Sequence, residues 1–425
     1  MKKITFRWRK LYSGVLIVAG LSSPLMGGNE ESSSKLRAHE WGTFTTFHKS
    51  NGTGLPWYQS FGRNSVSELR SFVSGNRFQK VAVNATARME TPVLYFYTDE
   101  KQSVDVNVTY NGGYVTEFYP GTAPFRQWKG LELIPVAEAG DLIDQLPTDP
   151  KRPDNHYFEA RAVPEAVLVR MQQPADKEGN RKPDQLEKFV FYRGAGSFAT
   201  GLHSVMKPEG VMTLIHYRSE YGMKHVWVLR SSAEAVRWEK LPEFPAFDSD
   251  AKTPPVEIRL DSLNAGTSRE ASISGLKESM VAALIDAGLT TAEAAAMVAT
   301  WDEQWYEEPG QRVFSIAPQC LIDEVLLLEI TPAPSETVRV FVHRSEILSP
   351  ETEQRLESAM APGADPDESK RAIQGEQLGR FVFGAIDAVA NDVGFRTIAA
   401  YRQRGLQALA KKKEPKQVAQ SLVGK

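Results

Sequence analysis

The chain contains a single cysteine, Cys320, and this scarcity excludes several architectures. No intramolecular disulfide can form, and neither a cysteine-rich zinc site nor haem attachment through a cysteine pair is possible. A lipid-modified cysteine just after the N-terminal leader is excluded for the same reason. Since Cys320 lies beside an apolar strand segment, we expect it to be a buried structural thiol.

The sequence also lacks an apolar run long enough to span a membrane. The run at 14–25 (GVLIVAGLSSPL) contains Pro24 and is about a dozen residues long, whereas a spanning helix needs roughly 20 apolar residues. The basic residues that precede it are Lys2, Lys3, Arg7, Arg9 and Lys10. This order predicts a signal peptide over 1–28 and an exported protein of the periplasm or cell envelope. The alternative is an uncleaved segment that tethers the protein to the inner membrane.

The sequence also has little excess of one sign of charge over the other. The formal net charge is −3 at pH 7, and the only strongly basic run is 411–413 (KKK), which is typical of a solvated helix end. Nucleic-acid-binding domains are usually basic, so we expect no nucleic-acid partner. After signal removal no spanning segment remains, and the sequence indicates no cofactor beyond the metal option considered below.

Short strand signals dominate the region from 36 to 263. Apolar runs and two-residue alternations recur there between glycines and prolines, which favours a sandwich or barrel over alternating βαβ units. Helical spacing begins near 268, strand patterns return near 312, and a helical pattern follows 350. The predicted fold class is α+β. A β-sandwich-like domain occupies 36–263, a helical hairpin 268–308, a β segment returning to a sheet 309–346, and a helical region 347–425.

Two local structures can be predicted in detail. Alternating apolar residues at 104–110, the turn at 111–113 (NGG) and the apolar return at 114–119 predict a β-hairpin in which Val106 faces Phe118. Further along, Gly288 ends one predicted helix, and the Thr-x-x-Glu pattern from Thr290 to Glu293 opens another. The end of one helix so close to the start of the next predicts an αα-hairpin.

Three segments resemble a family of exported bacterial proteins recognisable by the string HEWGTFT near the mature N-terminus. They are 38–45 (AHEWGTFT), 88–97 (RMETPVLYFY) and 187–194 (EKFVFYRG), and the helical hairpin at 287–301 fits the same family. The similarity covers most of the mature chain. It implies export and this order of domains, and it carries over no catalytic residue or cofactor.

Five polar residues lie beside the apolar strand segments and form the candidate binding cluster. They are His39, Glu40, Arg88, Glu90 and Arg193. A charge that enters a core must be paired, because burial alone costs several kcal/mol. The five residues therefore either form one buried network, with Glu40 and Arg193 as partners of the other charges, or line a pocket.

A second candidate site rests on strand register. If 218–223 is a tight hairpin end, His216 lies opposite His225, and two facing imidazoles are half of a zinc or copper site. The alternative is a stacked histidine pair on a mostly apolar face.

The segment 301–308 (WDEQWYEE) mixes aromatic residues with carboxylates, as sugar-handling sites do. Trp301 and Trp305 are also one helical turn apart, which favours packing against a core. No G-x-S-x-G or G-x-G-x-x-G motif occurs. The leading hypothesis is therefore an exported cell-envelope protein with a binding or structural role. The alternative is a hydrolase, with or without a metal ion, that acts on envelope polymers or exported substrates.

Overall fold

The structure, a computed structural model, describes residues 35–56, 74–75, 85–121, 127–149, 155–173, 175, 178–181, 183–218, 220–247 and 254–392. These residues belong to a single unit of the chain. The predicted signal peptide at 1–28 lies outside them. None of the helices in the described ranges has the length and apolar content needed to cross a membrane.

Strands account for most of the regular structure between 37 and 265. The strands of the described residues are β1 (Arg37–His48), β2 (Ser74–Gly75), β3 (Ala87–Tyr97), β4 (Gln102–Tyr110), β5 (Gly113–Tyr119), β6 (Gln127–Ile134), β7 (Leu168–Met171), β8 (Gln185–Glu187), β9 (Val190–Gly196), β10 (Leu202–Lys207), β11 (Val211–His216), β12 (Val226–Ser231), β13 (Val236–Leu241), β14 (Val256–Arg259), β15 (Asn264–Ala265), β16 (Gly310–Ala317), β17 (Leu326–Thr331) and β18 (Glu336–Ile347). The strands predicted near 167, 188, 211, 225 and 256 are confirmed, although their ends differ by a few residues.

Helices flank this framework and follow it. The α-helices of the described residues are α1 (Val136–Ala139), α2 (Arg269–Asp286), α3 (Thr291–Thr300), α4 (Gln319–Val325), α5 (Pro350–Met360), α6 (Pro366–Gly375) and α7 (Val382–Asp392). Short 3-10 helices span Gly140–Gln145, His156–Arg161, Pro208–Gly210, Leu260–Ser262 and Gly379–Phe381, and a π-helical turn spans Glu303–Glu307.

The described strands form three sheets. The largest has ten strands in the order β15-β13-β12-β16-β18-β1-β3-β9-β5-β2; a five-stranded sheet has the order β17-β4-β6-β7-β8, and a three-stranded sheet has the order β10-β11-β14. β1 lies near the centre of the large sheet, parallel to β18 and antiparallel to β3. The chain therefore returns after the helical hairpin to complete the sheet that it began.

Both faces of the large sheet are covered. One face packs against the two smaller sheets in a core that includes Phe44 and Leu131. The opposite face packs against α2 and α3 in a core that includes Trp41 and Met280. A third apolar cluster joins the end of β1 to α5, α6 and α7. The predicted α+β class, with a sandwich-like arrangement of sheets and C-terminal helices, is confirmed.

The predicted helical hairpin is also confirmed. The Thr290 side chain accepts a hydrogen bond from the Glu293 amide, and the Glu293 carboxylate accepts one from the Thr290 amide, so both halves of the capping box are present. Gly288, at φ +114°, supplies the conformation that ends the preceding helix. Trp301 and Trp305 are buried and stacked, with centroids 6.3 Å apart, as the packing interpretation required.

The predicted β-hairpin at 104–119 is wrong. β4 pairs with β6 and β17 in the five-stranded sheet, whereas β5 pairs with β9 and β2 in the large sheet. Gly112, at φ +73°, lies where the chain passes from one sheet to the other. Val106 and Phe118 still share one core, because both point into the space between the two sheets.

The burial predicted for Cys320 is wrong as well. The thiol is exposed, because Cys320 lies in the first turn of the short helix α4, on the side that faces solvent. The apolar residues of this helix that enter the core are Leu321, Ile322 and Val325.

Candidate functional site

The large sheet separates the five residues of the predicted polar cluster. Along β1, alternate side chains point to opposite faces, so Glu40 enters the core between the sheets and His39 faces the helices. Arg88 and Glu90 lie beside Thr45 and Thr43 on the helix-facing side. A single network of all five residues is therefore excluded.

Glu40 is fully buried and has a different partner from the one predicted. Its carboxylate accepts hydrogen bonds from the Tyr192 hydroxyl at 2.6 Å and from Arg339 Nε at 2.7 Å. Arg339 also donates to Asp323 at 2.9 Å, and these interactions outweigh burial and raise the pKa of its guanidinium. This buried pair joins β1, β9 and β18.

Glu90 is paired on the other face. Its carboxylate accepts hydrogen bonds from Arg380 Nη1 at 2.8 Å and from the Thr45 hydroxyl at 3.2 Å, and it lies 3.1 Å from Arg88 Nε. Burial opposes ionisation, but Arg380, Arg88 and Arg193 outweigh it and hold the pKa of Glu90 well below its usual range. The prediction that Arg88 and Glu90 share a face is confirmed.

More ion pairs continue from Glu90 along the same face. Arg344 Nη2 lies 2.7 Å from Glu308 and Arg344 Nε lies 2.9 Å from Glu346, whose other oxygen is 3.1 Å from Arg312 Nε. The charge of Arg380 also interacts with Glu308 and Glu346. We call this set the arginine–glutamate network, and its members are Arg88, Glu90, Glu308, Arg312, Arg344, Glu346 and Arg380.

The π-helical turn at Glu303–Glu307 helps to hold this network. Arg312 Nη1 donates to the Trp305 carbonyl at 2.9 Å, and Arg344 Nη1 donates to the Gln304 carbonyl. Carbonyls at the end of a helical segment carry partial negative charge and favour nearby cations. The wider helical turn therefore supplies part of the solvation that the two buried guanidinium groups lose.

The remaining predicted residues are also engaged in structural contacts. Arg193 Nη1 lies 3.6 Å from Glu117, and its guanidinium lies over the Tyr157 ring, so it does not meet Glu40. His39 Nδ1 lies 3.1 Å from a Glu293 oxygen and so connects the large sheet to α3. The candidate polar cluster thus divides into buried, paired groups that connect structural elements.

The predicted pairing of His216 with His225 is wrong. His216 belongs to β11 and pairs with Leu202 in the three-stranded sheet, whereas His225 immediately precedes β12 of the large sheet. Met223 forms a bridge with Phe244, so the intervening segment carries the chain between sheets instead of closing a hairpin. His225 Nε2 lies 2.9 Å from Asp286. Within the described ranges, no group of three or more His, Cys, Asp or Glu side chains has the arrangement to hold a metal ion.

An open cleft of about 340 Å³ lies where the end of β1 meets β10 and β11. Its polar lining consists of Thr46, His48, Thr86, Thr200, His203 and Tyr217. Its remaining lining consists of Gly54, Phe198, Leu202 and Ile215. We call it the histidine cleft. Among the described residues that line it, none is a carboxylate, lysine or arginine.

Hydrogen bonds behind the lining fix the inner wall. The Thr46 hydroxyl and His343 Nε2 are 2.8 Å apart, and the His343 ring stacks on Phe44 with centroids separated by 4.7 Å. Ser345 Oγ lies 3.2 Å from His48 Nδ1. Burial lowers the pKa of His48 to about 4 and that of His343 to about 3. Both imidazoles are therefore neutral at pH 7.

A tight turn after β1 supports the outer wall. Gly52, at φ +83°, lies so close to His203 that an added Cβ would be 2.4 Å from Nε2. Any larger residue would displace the His203 ring, so the glycine is required by both conformation and space. The Glu353 carboxylate holds the same turn by accepting hydrogen bonds from the Ser50 amide and hydroxyl, each at 2.7 Å.

Sequence reasoning missed the histidines of this site. His48, His203 and His343 come from three strands that are far apart in the chain, and none belongs to a recognisable motif. One signal was available: Phe44, Thr46 and His48 follow the two-residue period of β1, which places them on one face. That pattern alone does not show which strands complete the site.

No protein-family model and no curated protein matches this chain. Among solved structures, the Fcho1 Mu homology domain from Danio rerio with a bound Eps15 peptide aligns at 8% identity, with 75% of this chain and 99% of that chain covered and a TM-score of 0.29. The yeast delta-COP-I mu-homology domain complexed with a Dsl1 WxWxV peptide aligns at 7% identity over 75% and 99% of the two chains, with a TM-score of 0.25. At these TM-scores the similarity supports no inference about this protein.

Proposed function

We propose that this protein is exported to the cell envelope and binds a small, uncharged ligand in the histidine cleft. The basic start and short apolar run of 1–28, together with the resemblance carried by 38–45, support export. The chemistry of the cleft supports binding, because it offers polar and apolar surfaces together in a volume typical of ligand pockets.

The uncharged lining of the cleft is the observation that carries this proposal. His48 is neutral at pH 7, and the described lining residues provide no charged side chain to compensate an ionic ligand. Burying an unpaired charge is costly, so these lining residues favour an uncharged ligand. By contrast, four residues of the predicted polar cluster, His39, Glu40, Glu90 and Arg193, are buried and paired with other side chains, which supports a structural role for them.

Hydrolysis is the second candidate, and one observation favours it. Ser345 Oγ lies 3.2 Å from His48 Nδ1, which is the contact between nucleophile and base that acyl transfer needs. Ser345 is buried within β18, behind the lining of the cleft. If this pair is catalytic, Ser345→Ala should abolish hydrolysis of a small ester such as p-nitrophenyl acetate. If the pair is structural, any such turnover should be unchanged in the variant.

Export can be tested by N-terminal sequencing of the protein from the membrane-free envelope fraction. We expect a mature chain that begins between Pro24 and Ser32. An intact Met1 on protein recovered from the cytoplasm would contradict the proposal.

Binding can be tested through the imidazole resonances of the seven histidines. A panel of small neutral and charged compounds is titrated into the wild type, His203→Ala and the control His225→Ala, which lies outside the cleft. Neutral compounds should shift the His48 and His203 resonances of the wild type and of the control, and should lose affinity for His203→Ala. Shifts caused only by charged compounds, or equal affinity for all three proteins, would contradict a neutral binding cleft.

A further inference from the structure

The lining of the histidine cleft combines two kinds of group, and they are interspersed: the apolar Ile215, for example, pairs directly with His203. The apolar groups are Phe198, Leu202 and Ile215. Phe198 is held by an edge-on contact with Phe44, at a centroid distance of 4.9 Å, and by a second contact with Tyr110 at 6.2 Å. Because its neighbours fix this ring, it offers a rigid apolar platform with little entropy to lose on binding.

The polar groups of the lining are hydroxyls and imidazoles. Tyr217 is 44% exposed, and its oxygen accepts hydrogen bonds from the amides of Thr200 and Gly201 at 2.8 and 3.2 Å. These bonds position the phenol but use only its acceptor capacity, so its proton can be donated to a ligand. A neutral imidazole carries one donor and one acceptor nitrogen, but Nδ1 of His48 is already in contact with Ser345 Oγ, so His48 offers a ligand at most its other nitrogen. The hydroxyl groups of the lining can both donate and accept. The polar rim can therefore exchange hydrogen bonds in both directions.

A sugar ring offers groups that complement both kinds of lining residue. Its C–H face is apolar, and each hydroxyl on its edge both donates and accepts hydrogen bonds. An amino acid or a nucleotide would bring charges that the described lining residues do not compensate. We infer that the histidine cleft binds a neutral sugar, with the ring face toward Phe198 and its hydroxyls toward His48, His203 and Tyr217. This inference rests on the proposed binding function.

The test compares sugars that share one ring but differ in charge. N-acetylglucosamine, glucosamine and glucuronate are titrated separately while the histidine imidazole resonances are followed by NMR. The neutral N-acetylglucosamine should produce saturable shifts of His48 and His203, and both charged sugars should bind at least about tenfold more weakly, since one unpaired charge costs more than the 1.4 kcal/mol that a factor of ten represents.

Two variants locate the binding. Tyr217→Phe should weaken N-acetylglucosamine binding by about two- to tenfold, which is the range for one lost hydrogen bond. The control His225→Gln should bind it like the wild type. Equal affinity for Tyr217→Phe and the wild type would overturn the orientation inferred for the sugar.

Nicotinamide is a neutral planar compound without sugar hydroxyls. It distinguishes the proposed binding of neutral ligands in general from the inferred binding of sugars in particular. If nicotinamide gives saturable, His203-dependent shifts and the sugars give none, the sugar inference fails while the binding function stands. If no probe shifts the cleft histidines, both fail. Equal binding of the neutral and charged sugars would overturn the inference as well.

Discussion

The two faces of the β1–β18 strand pair use polar residues in opposite ways. On the helix-facing side, Arg344 and Glu346 are buried and form an ion pair within the arginine–glutamate network. On the other side, Thr46, His343 and Ser345 form neutral hydrogen bonds next to an open cleft. Adjacent residues of the same strand are thus all buried but differ in charge and in the kind of partner they contact.

This contrast follows from the cost of burying charge. A charged group is tolerated inside a protein only where opposite charges and hydrogen bonds replace water, and the paired network meets that condition. If the cleft binds an uncharged ligand as proposed, a permanent charge in its lining would lose solvation each time the ligand entered, with no opposite charge to replace it. Neutral imidazoles and hydroxyls avoid this penalty, and a site built from them is polar without being ionic.

The largest effect should come from breaking the charged face. Arg344→Ala removes a fully buried cation from between Glu308 and Glu346, and we expect it to lower the free energy of unfolding by about 3–5 kcal/mol. Urea denaturation measures the loss. The control Arg37→Ala disrupts a surface pair with Glu336 and should cost less than about 1 kcal/mol. Similar losses in both variants would show that the network has no special role in stability.

Acid should affect the neutral face first. The pKa of His48 in the folded protein, about 4, lies below the ordinary value of 6.5, so the unfolded chain binds the proton more readily. The contribution of neutral His48 to the free energy of unfolding is therefore fully present above pH 6.5. It is lost as the pH falls toward 4, by as much as about 3 kcal/mol. The same sign holds for His343, whose pKa is about 3. Urea denaturation across pH 7 to 4 measures this loss.

A matched variant separates the histidines from the carboxylates. His343→Phe keeps an aromatic ring beside Phe44 but cannot be protonated, so its stability should depend less on pH between 6.5 and 4. The pKa values of Glu90 and Glu308 are lowered, so their contribution is present above the ordinary carboxylate pKa and declines only in more acidic solution. If the free energy of unfolding of His343→Phe depended on pH as steeply as that of the wild type, the acid sensitivity could not be attributed to His343.

A smaller loss is expected where the network meets the C-terminal helical region. Arg380→Gln removes the cation that contacts both oxygens of Glu90. The Arg380 side chain is 21% exposed and Arg88 remains beside Glu90, so we expect a loss of about 1.5–3 kcal/mol. Denaturation followed by both fluorescence and circular dichroism measures it. A loss as large as that of Arg344→Ala would contradict the expectation that a partly exposed ion pair of this network contributes less to stability than a fully buried one.

The smallest effect on stability should come from the cleft rim. Tyr217→Phe removes the acceptor of two amide hydrogen bonds, but water can reach this half-exposed position. We expect a loss of about 0.5–1.5 kcal/mol, measured by thermal or urea denaturation. A loss above about 3 kcal/mol would show that Tyr217 belongs to the rigid framework and not to a ligand-binding rim.

Local structure could be predicted from the sequence, because it depends on neighbouring residues. The capping box of Thr290 and Glu293, the stacking of Trp301 on Trp305 and most strand positions follow from spacing alone. The shared face of Arg88 and Glu90 also follows, since the period of a strand is two.

Partners that come from distant strands could not be predicted in this way. Glu40 pairs with Arg339 and Glu90 with Arg380, 299 and 290 residues apart, and no local pattern records these pairings. The hairpin predicted around Gly112 failed because a glycine turn permits a change of sheet as readily as a return along the same sheet. His48 and His203 were missed because their proximity depends on how the sheets are arranged.

The parallel pairing of β1 with β18 has a consequence for how the chain folds. Strand contacts between Arg37 and Glu336, and along the rest of the pair, close a very long loop near the middle of the large sheet. Such closure is entropically costly and delays folding. A chain that ends before Glu336, whether truncated or still growing, leaves one edge of the apolar strand β1 without its native neighbour. That edge invites intermolecular pairing, so aggregation of incomplete chains is the expected cost of this topology.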